Sequence, residues 1–223
     1  MELALSIIQI LADSPGHKPV GVTEIAGHLD RLGWALYQTA HRLPHATGVH
    51  AVAQPLIREA AARLGETVNL AVRYEVRMVI IESCGVASGL KVETPQGVPQ
   101  PLHNSAAGKA LIVDLDESAL CQLCGLRLEA TTDKTLASPK ALAENLVACR
   151  RRGYTLDNEE TDEGVHCVGV PIRDHRGQVV ASLSVTGPSQ RLAGKKLEEA
   201  ATCIRTLALE ISRAVGFSGA TTG

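Results

Sequence analysis

The apolar positions change period once along this chain, near Gly65. Before it they recur every three to four residues, as in helices; after it, alternating strand-like runs and helical runs are interleaved. Residues 4–12 carry Leu5, Ile7, Ile8, Ile10 and Leu11, too apolar on too many sides for an isolated helix, and Pro15, Gly16 and Pro19 break the pattern. Thr23 stands where it would cap a short helix over 24–29. Residues 31–43 put Leu32, Ala35, Leu36, Ala40 and Leu43 on one side, Pro44 and Gly48 interrupt, and a further helix is predicted over 49–64 with Gly65 closing it.

Beyond Gly65, 67–73 and 76–82 read as two strands of a hairpin turning at Tyr74-Glu75, and 89–94 is a candidate third strand. Helices are predicted over 105–113 with Ser105 as N-cap, over 117–125, and over 139–152 between Ser138 and Gly153. Strands return at 154–157, 165–173 and 179–186, the last two joined by the turn Asp174-His175-Arg176-Gly177. A final helix over 192–215 offers Leu197, Ala200, Ala201, Ile204, Leu207, Ala208 and Ile211 as its buried stripe. The predicted class is α+β: a small all-helical head and linker helix over 1–45, an α/β domain over 46–216 with an antiparallel sheet flanked by helices, and a flexible tail over 217–223.

Composition narrows the function. The 223 residues are 45% apolar and 21% charged, enough for a packed core. The net charge of −2 gives no overall basic field, and five aromatics are too few for base-stacking platforms. No apolar run approaches the roughly 20 residues that span a bilayer, so no membrane partner is expected. The opening Met1-Glu2-Leu3-Ala4 lacks the basic start of a secretory signal. The cysteines at 84, 121, 124, 149, 167 and 203 are not spaced as a disulfide scaffold, which predicts free thiols in a reducing cytoplasm.

Several ordered segments point to a family. Gly153-Tyr154-Thr155-Leu156-Asp157, Glu160, Cys167-Val168-Gly169, Ile172 and Asp174 resemble, in type and spacing, the signature of the IclR family of bacterial transcription regulators. Arg173 departs from it, standing where the pattern has an aromatic or His. Three more segments agree: Gly65-Glu66-Thr67-Val68-Asn69-Leu70-Ala71, the run from Pro101 to Ala110, and Ser182-Leu183-Ser184-Val185-Thr186-Gly187-Pro188. The resemblance runs from about 49 to 215 and implies a GAF- or profilin-like domain that binds a small effector, often an organic acid.

By that resemblance the effector site comprises Ala106, Ala107, Asp157, Cys167, Ser184, Thr186, Val92 and Gln100. The residue types suit the chemistry. Ala106 and Ala107 open a helix, where free N–H groups and small side chains admit a carboxylate. Ser184 and Thr186 are two apart on a strand and share a face, so both hydroxyls can donate to one ligand oxygen. Asp157 and Cys167 add an acceptor and a soft thiol. Family members place apolar residues at positions 92 and 100; Gln100 departs and points to a more polar ligand or a different wall. For each of these residues an ordinary structural role stands beside the functional one: Cys167 as a small core residue, Asp157 as a turn cap.

The head matches less well. Residues 3–11 and 22–29 resemble the first two helices of the family's winged helix-turn-helix, but Asp30-Arg31-Leu32-Gly33 already resembles the entry to its linker helix. Roughly 25–30 residues of a complete winged head, including the recognition helix, are missing by this comparison. Residues 1–45 hold three Lys and Arg against four Asp and Glu, unlike a DNA-reading surface. Residues 31–43 could instead serve as a recognition helix offering Gln38, His41 and Arg42, or pack against a partner subunit. Leu5, Ile8, Trp34, Leu36 and Tyr37 favour self-association, as a dimer or a tetramer. The expected partners are thus a small-molecule effector, operator DNA if the shortened head is competent, and other copies of the chain.

Other chemistry is weaker. Glu159, Glu160, Asp162 and Glu163 lack calcium-loop spacing and read as a solvated acidic loop. Gly108-Lys109 lacks the rest of a phosphate loop, so no nucleotide cofactor is expected. Cys121 and Cys124 form a lone pair inside a helical apolar pattern and read as core thiols, with no metal expected. His166 and Cys167 are strand neighbours and face opposite sides, so they cannot pair directly; catalysis would need His103 or His175, which no spacing places, so no enzyme is expected and a small-molecule enzyme is the third and weakest alternative. The predicted function is a ligand-responsive regulator, the alternative a relative deficient in DNA binding that acts as an effector-binding or oligomerisation module.

Overall fold

The computed structural model describes residues 48–85 and 92–219. The helices predicted before residue 45, with Gln38, His41 and Arg42, lie outside the described residues. The described part opens with α1 (Gly48–Leu64), closed where the N–H of Gly65 reaches Ala61 O at 2.9 Å. Then come β1 (Thr67–Tyr74), β2 (Arg77–Cys84), β3 (Pro99–Pro101), α2 (Ala106–Leu111), α3 (Glu117–Cys124), α4 (Pro139–Arg152), β4 (Thr155–Asn158), β5 (Val165–Arg173), β6 (Val179–Pro188) and α5 (Gly194–Ala214).

The strands form one six-stranded sheet, ordered β3-β2-β1-β6-β5-β4, with every neighbouring pair antiparallel. Alternation along the strands divides the core in two. One face of β1, β5 and β6 sends Val68, Leu70, Val168, Val170, Ile172, Ala181, Leu183 and Val185 against Ile57 of α1 and Ile204, Ala208 and Ile211 of α5. On the other side Met78, Ile80 and Leu102 pack with Leu111 of α2, Leu120 of α3 and Leu142 and Leu146 of α4. The odd positions of β6 therefore feed the first core. Its even positions, Ser182, Ser184 and Thr186, face the α2 side and are as buried as their apolar neighbours.

The helix boundaries follow local chemistry. In α4 the Ser138 side chain accepts from Ala141 N, Pro139 takes the first turn, Arg150, Arg151 and Arg152 occupy the last, and Gly153 ends it at φ 79°. Asp116 caps α3 in the same way.

Two expectations are corrected. The third strand expected over 89–94 is not found at 92–94, which carry no ladder; residues 86–91 lie outside the described residues. Instead Thr67 Oγ1 donates to Val92 O at 3.0 Å and Thr94 Oγ1 donates to Asn69 Oδ1 at 2.8 Å, so side chains of β1 hold this stretch. The third strand is Pro99–Pro101, an edge position where proline is tolerated. Nor is the whole of 217–223 a loose tail. Phe217 N donates to Ser212 O at 2.9 Å and its ring packs near Gly177, which leaves Phe217 partly buried; 220–223 lie outside the described residues.

Candidate functional site

The register of the central strands brings five residues together. Cys167 of β5 pairs with Thr186 of β6, Asn69 of β1 with Ser184, and Asp157 of β4 with Cys167. All lie on the α2 side of the sheet and line one cavity of about 90 Å³. Val92, Gln100, Ala106, Ala107, Asp157, Cys167, Ser184 and Thr186 all border it, so the structure brings together every predicted effector residue. Asn69, Met78, Ile80, Thr94 and Thr161 complete the wall. Asn69 stands inside a segment the resemblance had matched, but nothing in its spacing marked it. In the structure its amide donates to Thr186 Oγ1 at 3.4 Å while its oxygen receives Thr94.

Helix α2 is pressed onto the sheet at this point. Its carbonyls at Ala106 and Ala107 accept from Thr155 Oγ1 and Ser182 Oγ at 2.7 and 3.0 Å. A Cβ on Gly169 would sit 2.4 Å from Ala106 O, and one on Gly108 2.4 Å from Leu102 O, so both positions need glycine for the close approach. Ser105 caps the helix by accepting from Gly108 N at 3.0 Å. The N–H groups of Ala106 and Ala107 precede the first intrahelical bond and border the cavity, as donors with no side chain in the way. With six residues, α2 adds little dipole, so these donors count as individual N–H groups.

Asp157 is fully buried and is an anchor as well as a wall. Its carboxylate accepts from Glu160 N at 2.7 Å, Thr161 Oγ1 at 2.8 Å and Thr161 N at 3.3 Å. Burial pushes its carboxyl up from the usual carboxylate range, against those donors and the nearby Lys109. Burial, with Asp157 alongside, also pushes the Cys167 thiol up, so it stays protonated and is no nucleophile. The neighbouring His166 faces away and bonds Leu192 O at 2.8 Å.

The acidic run 159–163 is not a solvated loop throughout. Glu160 is buried and takes the ammonium of Lys109 at 2.6 and 2.7 Å; Lys109 is wholly buried and also donates to Leu156 O. Glu159 pairs with Lys134 at the surface, and only Asp162 and Glu163 are exposed. The Gly108-Lys109 dipeptide is thus a core ion pair under the site. Thr131, Thr132 and Thr135 donate to the carbonyls of Glu159 and Glu160 and complete the cage around this turn. Cys121 and Cys124 lie half-buried on α3, and among the described residues no group of three or more His, Cys, Asp or Glu is placed to hold a metal ion.

Comparison with known proteins decides the family. Residues 41–213 match the model for the C-terminal region of bacterial IclR transcriptional regulators. The chain belongs to the IclR family. It is 31% identical to the HTH-type transcriptional regulator BhcR of Paracoccus denitrificans over 241 residues, which takes in 95% of this chain and 85% of that protein. It is 34% identical to the HTH-type transcriptional repressor AllR of Escherichia coli K12 over 192 residues, 83% of this chain and 71% of that protein. The IclR structure of Thermotoga maritima superposes with a TM-score of 0.80 at 25% identity, covering 97% of this chain and 98% of that one. The C-terminal domain of Escherichia coli KdgR gives 0.69 at 30% identity, over 77% and 100%. The relatives regulate transcription, and this IclR chain is likewise a transcriptional regulator rather than an enzyme. The BhcR alignment is longer than the part of this chain it covers. Since 95% of 223 residues is about 212, some 29 of its 241 positions have no counterpart here.

Proposed function

We propose that this IclR chain is a cytoplasmic, ligand-responsive regulator whose C-terminal domain binds a small organic acid and whose head acts on operator DNA as a homodimer or tetramer. The observation that carries the effector half is the single cavity bordered by the Ser184 and Thr186 hydroxyls and the N–H groups of Ala106 and Ala107. These are donors converging on one space, the pattern that suits a carboxylate. About 90 Å³ corresponds to roughly three water-sized volumes, which suits an acid of a few carbons. Calorimetric titration with a panel of two- to four-carbon acids tests it. Ser184→Ala with Thr186→Ala should weaken the best ligand at least tenfold, since each bond to a charged group is worth about 1.5–3 kcal/mol. Unchanged affinity in a folded variant would remove these hydroxyls from the site.

A second reading has its own support. The roughly 29 unmatched positions agree in size with the segment missing from the head, and residues 1–45 carry more acids than bases. On this reading the chain binds effector and oligomerises without reading DNA. Fluorescence anisotropy on the DNA upstream of its own gene, at two salt concentrations, separates the two. Tight binding with a steep salt slope supports a competent head, with Gln38, His41 and Arg42 as its contacts; a folded oligomer that does not bind supports the second reading.

A further inference from the structure

A groove of about 350 Å³ lies away from the effector cavity, between the last turn of α4 and one face of α5. It opens where β4 stops. β5 pairs with β4 only as far as Gly169, and its continuation Val170–Arg173 forms the floor. Thr202, Arg205, Thr206 and Leu209 recur at helical spacing along the α5 wall, and the ring of Phe217 closes one end. β4 gives Thr155 to the groove and Asp157 to the cavity, and β5 gives Val170 to the one and Cys167 to the other; no residue lines both.

The groove is basic although the chain carries a net charge of −2. Three arginines line it, and Asp114 is the one acid among the described lining residues. Asp114 is committed to Arg173 through a bidentate pair at 2.6 and 2.9 Å. Arg150 donates to the carbonyl of Val113, a neutral partner, and makes no ion pair among the described residues. Arg205 is exposed and has no acid partner among them. Its guanidinium instead lies over Gly153, so close that a Cβ there would stand 2.9 Å from Arg205 Nη2. Two uncompensated guanidinium forks thus face one groove in a protein of net charge −2. Val170, Pro171 and Leu209 supply the apolar part of the lining, with Tyr154 beside them and the hydroxyls of Thr155, Thr202 and Thr206 on the same wall. A volume of this size is in the range of small-molecule sites. An added β-strand is disfavoured, because Pro171 has no N–H and that of Arg173 is taken by Ser212 Oγ at 3.0 Å, which blunts the open edge of β5.

We propose that this groove is a second ligand site that takes an amphipathic carboxylate, its charge held by Arg205 and Arg150 and its hydrocarbon or aromatic body laid on Val170, Pro171 and Leu209. Guanidinium forks match carboxylate geometry, and the apolar floor rewards a body that a two-carbon acid lacks. The groove and the smaller effector cavity have separate linings.

The test uses the full chain and calorimetry with octanoate, its neutral analogue octanamide, and acetate. Octanoate should bind at least tenfold more tightly than either. Arg205→Gln should weaken it about two- to fivefold, the factor expected for one solvent-screened charge contact, and Arg150→Gln should add to that loss. Both residues are exposed, so folding of the variants is checked by circular dichroism and is expected to be retained. Ser184→Ala with Thr186→Ala should leave octanoate binding unchanged. Absence of octanoate binding at millimolar concentration overturns the proposal, as does equal affinity for octanamide. Loss of octanoate binding in the Ser184 and Thr186 variant with none in Arg205→Gln moves the ligand to the effector cavity and equally overturns it. A change of oligomeric state in Arg205→Gln, read by light scattering, with octanoate affinity intact makes the groove an interface between copies instead.

Discussion

Replacing Lys109 by Met tests the ion pair beneath the proposed effector cavity. The ammonium is wholly buried, and the Glu160 carboxylate that receives it has 8% of its side chain exposed. Removing one partner of such a pair leaves an uncompensated buried charge, which costs about 3–5 kcal/mol, a large part of the roughly 5–15 kcal/mol that holds a domain together. Asp157 deepens the penalty, since it is a second buried carboxylate on the same turn and feels Lys109 as well. With a urea slope of about 2 kcal/mol/M, the unfolding midpoint should fall by roughly 1.5–2.5 M. Lys109→Met with Glu160→Met removes both charges and should regain most of the loss, so the cycle should show a coupling of at least about 2 kcal/mol. The pH dependence has a definite sign. Burial raises Glu160 above its ordinary value and Lys109 opposes that rise, so deleting the lysine lifts it further. A carboxyl raised in the folded state contributes stability that is present below its unfolded pKa and is lost as pH rises through the folded value. The deficit of Lys109→Met should therefore shrink on acidification and widen towards neutrality. A midpoint within about 0.5 M of wild type, or two single substitutions whose losses simply add, would refute the argument.

Gly169→Ala forces a methyl to within 2.4 Å of Ala106 O and 2.6 Å of Thr155 Oγ1. α2 must then lift, at a cost of about 1–3 kcal/mol; thermal unfolding should show the loss and calorimetry a collapse of acid binding. Gln100 lines the proposed effector cavity, and its Nε2 is buried without a hydrogen-bond partner. Gln100→Leu should accordingly leave the ligand-free protein as stable as wild type or about 1 kcal/mol more so, while weakening acids that carry a second oxygen relative to those that do not; a fall in ligand-free stability would count against an unpartnered amide.

How far the chain could be read in advance depended on how local each signal is. Ser138, Pro139 and Gly153 specify α4 within its own residues, and its bounds agree with the structure at both ends. The spacing of Ser182, Ser184 and Thr186 gives their shared face because strand alternation is strict. β3 was missed because three residues, two of them proline, carry no period; only its pairing with Arg77, Met78 and Val79 makes it a strand. Lys109 and Glu160 are 51 positions apart, so no spacing relates them: Lys109 reads only as a fragment of a phosphate loop and Glu160 as one of a run of solvated acids. Glu66 likewise sits in a matched segment, but its bidentate bond to Arg191 is a tertiary contact that no pattern announces. Phe217 was assigned to a tail because it follows the helix, although its backbone closes the last turn onto Ser212.

The cavity also predicts how acid binding depends on pH. Among the described lining residues there is no Lys, Arg or His, while Asp157, Asp162 and Glu93 bring carboxylates to its wall. A bound acid must therefore be held by neutral donors, and its charge lies near Asp157, whose carboxyl burial already pushes up. A second negative charge in the same space disfavours the ionised form further, so Asp157 should take up a proton when the ligand binds. The linkage then requires affinity to rise as pH falls from neutrality, by no more than about tenfold per unit for one proton, as long as the ligand itself stays ionised. Titration in two buffers of different ionisation enthalpy reads the proton uptake directly. Asp157→Asn keeps an oxygen for Glu160 N and Thr161 while abolishing the charge, so it should bind the acid at least as tightly at neutral pH and flatten the dependence. Proton release on binding, or an unaltered pH profile in Asp157→Asn, would mean that the carboxylate of the ligand does not sit against Asp157 and that the donors at Ala106 and Ala107 hold it on the far side of the cavity.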